Sequence, residues 1–384
     1  MSRLALGMKI YTTDWHTWYG RDYAEAAHQL RALGVSFAFV LNSVDSAPVS
    51  GTPSRVAERY RDRALSYSDR ALRAALHQVG IRYYAAFSMF FDPVHLRQHR
   101  ELTPVNVFGD PMPQVGWYIG LCPSSEEYLQ HKIGVIDRVS RELSPDGIFL
   151  TVIRFPGFWE RWVAGYRRSP SDEYCFCTRC LDRFSTETGI RVEGGQERSD
   201  GWLGWLTTHR SQWTEWKCQV IRHVVSRVRR AVGETQPQCD VAFNTVPFRT
   251  ADFGNAIEEV FGQHREKLAP LVDAFELMTY HQVLKRPPPF ITQVANEAKA
   301  QTAKRIYCTV FTRPRYLEGV YEPDRRHPSI TADEVAAVLQ AVADSRADGV
   351  VLRWEDYLED LRTPDDSKGR VLHSALARLL AAPP

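Results

Sequence analysis

Eight short apolar runs, each followed by a stretch with helical periodicity, restrict the fold of this chain more than any other feature. The sequence predicts strands at Leu6–Thr12, Val35–Ser43, Ile81–Phe91, Ile148–Phe155, Val241–Val246, Val272–Tyr280, Ile306–Thr312 and Val350–Trp354. It predicts helices at Tyr23–Leu33, Ser68–Val79, Ser124–Leu143 and Trp213–Val232, then at about Ile257–Leu268, Phe290–Thr302, Thr331–Ala343 and Lys368–Leu380. Gly34 and Gly80 stop the first two helices, as a left-handed C-terminal residue does. Pro123, Glu126 and Glu127 mark the start of the third, where a fixed φ and negative charge suit the helix dipole. Strands that alternate with helices run parallel, and eight such units close into a ring. The expected fold is therefore α/β, one (β/α)8 TIM barrel over residues 1–384. An open doubly wound sheet is the rival, but no Gly-x-Gly-x-x-Gly follows the first strand. A barrel takes ~250 residues, so about 130 of the 384 are surplus. Most lie after the third and fourth strands, with the largest insert from Pro156 to about Thr207. Loops that follow strands sit on the C-terminal face, where barrel enzymes place their sites.

Composition narrows the function. Lys+Arg is 48 and Asp+Glu is 46, so the net charge of +2 argues against nucleic-acid binding by bulk charge. No apolar run approaches the ~20 residues of a membrane helix. No long apolar core precedes Lys9, so no secretory signal is read and the cytosol is expected. There the seven Cys are expected to be reduced or metal-bound. Ten Trp, 16 Tyr and 18 Phe supply flat amphipathic rings of the kind that fill cores and line sugar clefts.

Cys175-Phe176-Cys177-Thr178-Arg179-Cys180 places three thiols in one loop. A structural zinc takes four soft ligands in a tetrahedron, so a fourth must come from elsewhere. Cys122 is the first candidate, on the same barrel face, and Cys218 the second. Such a site pins a loop and does no chemistry.

In a closed barrel, inward side chains near the C-terminal strand ends form the floor of the site. Period-2 alternation turns Lys9 and Tyr11 inward from the first strand, Asn42 from the second and Ser88 from the third. Thr151 and Arg154 come from the fourth, Asn244 from the fifth, Glu276 and Tyr280 from the sixth, Arg353 and Glu355 from the eighth. Asp14, Trp15 and His16 follow the first strand, His281 the sixth and Trp354 the eighth. A Lys or Glu in mid-strand is costly unless paired, so Lys9 and Glu276 are either a charged pocket floor or an ion pair that plugs the barrel. Glu160 lies in the aromatic loop Gly157-Phe158-Trp159-Glu160-Arg161-Trp162. There it either titrates near neutrality as an acid or pairs with Arg154 or Arg161.

The run Asp146-Gly147-Ile148-Phe149-Leu150-Thr151-Val152-Ile153-Arg154-Phe155-Pro156 resembles the fourth-strand motif of glycosidase-like barrels of the "glycosyl hydrolase-like 10" type. Cys122-Pro123-Ser124 resembles the Cys-Pro-Asn that precedes the matching helix there. Cys122 with Cys175, Cys177 and Cys180 is similar to the zinc site of family 42 β-galactosidases. The resemblance implies a carbohydrate-active barrel with a structural zinc on those four thiols and a small carbohydrate or glycoside as partner. The chain departs from both patterns: Thr151 replaces the strand-end Asp, and no Asn-Glu pair follows the fourth strand. Glycosidic cleavage then needs other carboxylates, here Glu276 with Glu160 or Glu355. Lys9, Asp14, His16, Asn42, Arg154, Asn244, Tyr280, His281 and Arg353 are expected to orient substrate, and Trp15, Trp159 and Trp354 to stack on it. Two rivals follow: a barrel that binds saccharide without cleaving it, and a biosynthetic lyase or isomerase with Lys9 or Tyr280 as base.

Overall fold

Eight parallel strands hydrogen-bond in sequence order and close on themselves, β8 returning to β1. The computed structural model describes residues 4–43, 60–192, 201–313, 330–354, 356 and 366–381. The strands are β1 Ala5–Ile10, β2 Val35–Leu41, β3 Arg82–Ser88, β4 Gly147–Thr151, β5 Asp240–Thr245, β6 Ala274–Leu277, β7 Arg305–Thr309 and β8 Gly349–Arg353. Helices among the described residues include α1 Tyr23–Ala32, α2 Asp69–Gln78, α3 Pro93–Gln98, α4 Glu126–Leu143, α5 Thr178–Thr188, α6 Arg210–Thr235, α7 Pro289–Thr302, α8 Ala332–Ala343 and α9 Asp366–Ala381. Short polar side chains start several of them: Ser68 accepts from the Ala71 amide, Ser125 from Tyr128 and Thr331 from Glu334. Each satisfies an amide that has no partner within the helix.

Every strand presents two faces. Met8, Val40, Ile148, Val350 and Leu352 pack outward into the helices. Phe37, Phe39, Tyr84, Phe149, Tyr307 and Val351 fill the interior, where the Phe39 and Phe149 rings stack at 3.9 Å. Gly7 and Gly147 make room for them: a Cβ at either would fall 2.3 Å from the Phe37 ring or 2.2 Å from Tyr84. Below this aromatic layer, Asp240 accepts from Tyr84 (2.6 Å), Arg82 (2.8 Å) and Arg305 (2.7 Å), closing the N-terminal end. Above it lies the polar layer of Lys9 and Glu276.

The structure corrects several expectations. The predicted helix Ile257–Leu268 is two short turns, Ala256–Glu259 and Arg265–Leu268. Gly262 between them has φ +68° and passes so close to α6 that a Cβ would sit 3.0 Å from the Lys217 carbonyl. That turn aims Gln263 at the strand ends, where its amide donates to Ile153 O (3.0 Å) and Asn244 O (3.1 Å) and accepts from Val246 N (3.0 Å). β4 stops at Thr151, short of Phe155, because Val152 adopts φ 48°, a conformation rare for a β-branched residue. The loop 156–207 carries α5 and the start of Gly201–Thr208. α6 anchors this loop. Its Lys217 is fully buried and donates to Glu173 (3.2 Å), Tyr174 O (3.1 Å) and Glu259 O (2.8 Å); Arg210 reaches Glu173 at 2.6 Å. Phe176 stacks on Trp213 at 5.0 Å. Among the described residues, no helix is long and apolar enough to cross a membrane.

Candidate active site and cysteine cluster

Lys9 on β1 and Glu276 on β6 face each other across the upper barrel. Lys9 Nζ donates to Glu276 Oε1 at 2.8 Å, and both side chains are buried. Thr309 on β7 donates to the same oxygen, and Asn244 on β5 donates to Oε2. A carboxylate taken from water is held only by such a set of donors. Burial opposes the Lys9 charge, but the attraction of Glu276, with Tyr280 and Tyr11, holds its pKa above the ordinary lysine value. Burial raises the Tyr280 pKa as well. Both shifts favour the protonated forms of these two side chains.

Above this layer, Lys9 Nζ reaches Tyr280 Oη at 3.5 Å, and the Tyr280 ring stacks on Phe311 at 4.0 Å. Arg353 sits 5.8 Å from the Phe311 ring. Tyr11, Tyr280 and Arg353 are partly exposed and form the rim of the mouth. On the β4 side, a 3-10 turn at Trp159–Arg161 carries Trp159 against Tyr280 (5.9 Å) and holds Glu160 beside it. Glu160 is buried, and its Oε2 has no hydrogen-bond partner. Burial pushes its pKa up to about 7, against the opposing pull of Arg154 and a backbone hydrogen bond. The Arg154 guanidinium lies 5.5 Å over the Tyr118 ring, and Tyr118 Oη accepts from the Gly157 amide at 3.4 Å. A carboxylic acid that is half-protonated near neutrality, beside a cation and a phenol, is equipped to donate a proton.

The mouth thus gathers Lys9, Glu276, Asn244, Tyr280 and Arg353, while Arg154 and Glu160 form a second group around Tyr118. Asn42, just past the end of β2, donates its side-chain amide to Ala86 O at 2.8 Å. Other expected site residues turn elsewhere. Trp15 is buried against Tyr23 and Tyr67, and His16 stacks on Tyr23 at 5.0 Å with its nitrogens near Arg21 O and Ser66 Oγ. Asp14 opens the short helix Asp14–Thr17. His281 Nε2 lies 2.8 Å from Glu334 in the first turn of α8. Trp354 belongs to the outer layer, since alternation along β8 turns it opposite to Arg353. Trp159 is fully buried, so its ring packs against protein. Glu355 lies outside the described residues. Thr309 and Gln263 are the polar groups that the sequence reading passed over. Thr309 was within reach of it, two residues beyond inward Tyr307; Gln263 was not, because a tertiary turn delivers it.

Cys122, Cys175, Cys177 and Cys180 come together as one cluster, each Sγ within 4.8 Å of the others. Cys122 Sγ lies 3.4 Å from Cys180 and 3.6 Å from Cys177, near the ~3.8 Å edge of a tetrahedron with 2.3 Å metal–sulfur bonds. Cys122, Cys175 and Cys180 are buried and Cys177 partly so. Four thiols in this arrangement could bind a metal ion, and they join the entrance of α4 to the N-terminus of α5. Cys218, the second candidate, lies on α6 and is not part of this cluster.

No family model matches the sequence, and no curated protein matches it. Solved structures do. The glycoside hydrolase domain of PgaB (BpsB) from Bordetella bronchiseptica superposes with a TM-score of 0.68 at 12% identity, over 100% of both chains. A β-galactosidase from the psychrophilic Marinomonas ef1 gives 0.64 at 10% identity, over 99% of this chain and 62% of that one. Gan42B, a GH42 β-galactosidase, gives 0.63 at 10% identity, over 98% of this chain and 56% of that one. This chain therefore spans less than two thirds of the β-galactosidases it matches. At these identities the likeness is one of fold: the chain is a closed (β/α)8 barrel similar to those of glycoside hydrolases, with a buried cysteine cluster beside it.

Proposed function

We propose that this protein is a carbohydrate-active enzyme that cleaves a glycosidic bond, with Glu160 as the general acid. The carrying observation is the Glu160 carboxyl, buried beside Arg154 in the turn that follows β4, with an unpartnered oxygen and a pKa near 7. A carboxyl that keeps about half its protons at neutral pH, on the turn that leaves β4, meets the requirement for protonating a leaving-group oxygen. The Lys9–Glu276 layer is the charged floor that orients substrate hydroxyls through Lys9, Asn244 and Tyr280. Arg154 and Arg353 flank it. Substrate is a small carbohydrate or glycoside. The fold neighbours, described as glycoside hydrolases, support the substrate class.

A second reading, a barrel that binds saccharide without cleaving it, rests on one observation. Both oxygens of Glu276 are occupied by Lys9, Thr309 and Asn244, and Thr151 stands where related barrels carry a carboxylate. The deciding experiment measures release of reducing ends and aryl alcohols from glycosides by the wild type, Glu160→Gln and Glu276→Gln, with calorimetry of sugar binding alongside. Turnover that falls roughly 10²–10⁴-fold in Glu160→Gln supports the acid role. Sugar binding by the wild type with no product after long incubation establishes the second reading instead.

We assign a structural zinc to Cys122, Cys175, Cys177 and Cys180. Four thiolates fill a tetrahedral ion and leave no position for substrate, so its contribution is to hold the 156–207 loop against α4.

A further inference from the structure

A second group of metal-ligating side chains lies away from both the mouth and the cysteines. We propose that Asp92, His95 and His131 form a binding site for a divalent transition-metal ion that ties α3 to α4. One ligand atom from each lies within 4.8 Å of the other two. Asp92 caps α3: one carboxylate oxygen accepts from the His95 amide at 2.9 Å, which leaves the other for a cation. The His95 ring projects toward α4, where the His131 ring lies 5.1 Å away and inclined by 30°. His99 covers the opposite side of His95 at 4.2 Å, and its Nδ1 is held by Glu101 at 3.1 Å. Neither the His95 nor the His131 ring has a hydrogen-bond partner among the described residues. The two imidazoles stack, His95 also packing on the Tyr128 ring at 4.9 Å, and one nitrogen of each lies within 4.8 Å of the other and of an Asp92 oxygen, so small ring rotations bring three donors from two helices to one ion.

The chemistry of the donors sets the ion. Two imidazoles and one carboxylate suit zinc, copper(II) or nickel(II), whereas calcium and magnesium demand an oxygen shell. Three protein ligands leave the remaining positions to water. His131 is exposed, so an ion reaches the site from solvent. The tie also bears on the mouth. Phe91, next to Asp92, stacks on Tyr118 at 6.2 Å, and Tyr118 lies under Arg154. Fixing α3 to α4 fixes the segment that carries this ring.

The test uses the full chain loaded with cobalt(II), followed by absorption spectroscopy and calorimetry, then repeated with nickel(II). Thiolate ligation gives an intense sulfur-to-cobalt charge-transfer band, which a His/Asp site lacks. The expected result is one equivalent bound without that band, in addition to whatever the cysteines take. His131→Ala and Asp92→Asn should each weaken this equivalent at least about 10-fold, the low end of what loss of a mere outer partner costs. Asparagine keeps the cap on α3, so Asp92→Asn decides the matter if the alanine variant fails to fold. Absence of a thiolate-independent equivalent in the wild type overturns the proposal. So does an equivalent of unchanged affinity in both variants.

Discussion

Glu160→Gln tests the central electrostatic claim, because it removes a titrating group without changing its shape. Burial lifts the Glu160 pKa from 4.5 to about 7 in the folded protein. A group whose pKa is raised on folding adds stability that is full below its unfolded value and is lost as pH rises through the folded one. Wild-type stability should therefore decline between pH 4.5 and 7. The shift corresponds to on the order of 3 kcal/mol once Glu160 is ionised in both states. Glutamine does not titrate, so the variant should lie within about 1 kcal/mol of the wild type near pH 5 and exceed it by about the full amount at pH 8.5. For a chain of 384 residues this is roughly 3–4 °C in melting temperature. Urea unfolding of both proteins at pH 5 and 8.5 gives the difference of differences directly. If the two show the same dependence on pH, or if the variant is the less stable at pH 8.5, then Glu160 is a paired carboxylate and not a proton donor in waiting.

Three further outcomes follow from the geometry. Lys9→Met strands the Glu276 charge in the barrel and should cost about 3–5 kcal/mol, whereas Lys9→Met with Glu276→Leu should recover most of it; chemical denaturation of both variants checks this, and a cost below about 1 kcal/mol for the single change refutes the pairing. The Lys9 contribution is full below the unfolded lysine value of 10.5 and erodes only at higher pH, since folding raises its pKa. Asp240→Ala leaves Arg82, Arg305 and Tyr84 without their shared acceptor and should cost about 2–4 kcal/mol, measured by the same method, with no change in the pH profile of activity. Chelation of the zinc proposed at the four thiols, or Cys180→Ser, should lower the melting temperature and open the 156–207 loop to protease, because binding energy at such a site is folding energy.

The sequence alone determined the barrel, the strand order and the cysteine set. Alternation with period 2 reports which side chains face inward, and it does so locally. That is why Lys9, Asn244, Glu276 and Arg353 were legible as interior residues; Cys122 was legible as a partner for the Cys175–Cys180 loop from its thiol and its place on the same barrel face. What followed the strands was not legible in this way. Trp15, His16 and His281 were expected at the mouth, but loop residues lack a fixed period and turned toward Tyr23, Ser66 and Glu334. The helix predicted at Ile257–Leu268 broke at Gly262, because α6 left no room for it and Gln263 was needed at the strand ends. Only the tertiary structure decided whether Lys9 and Glu276 are a pair, since that depends on a contact between residues 267 positions apart. It likewise decided that Glu160 is buried beside Arg154. Charge and burial are properties of neighbours in space, and a linear pattern names the side chains without saying which of them meet.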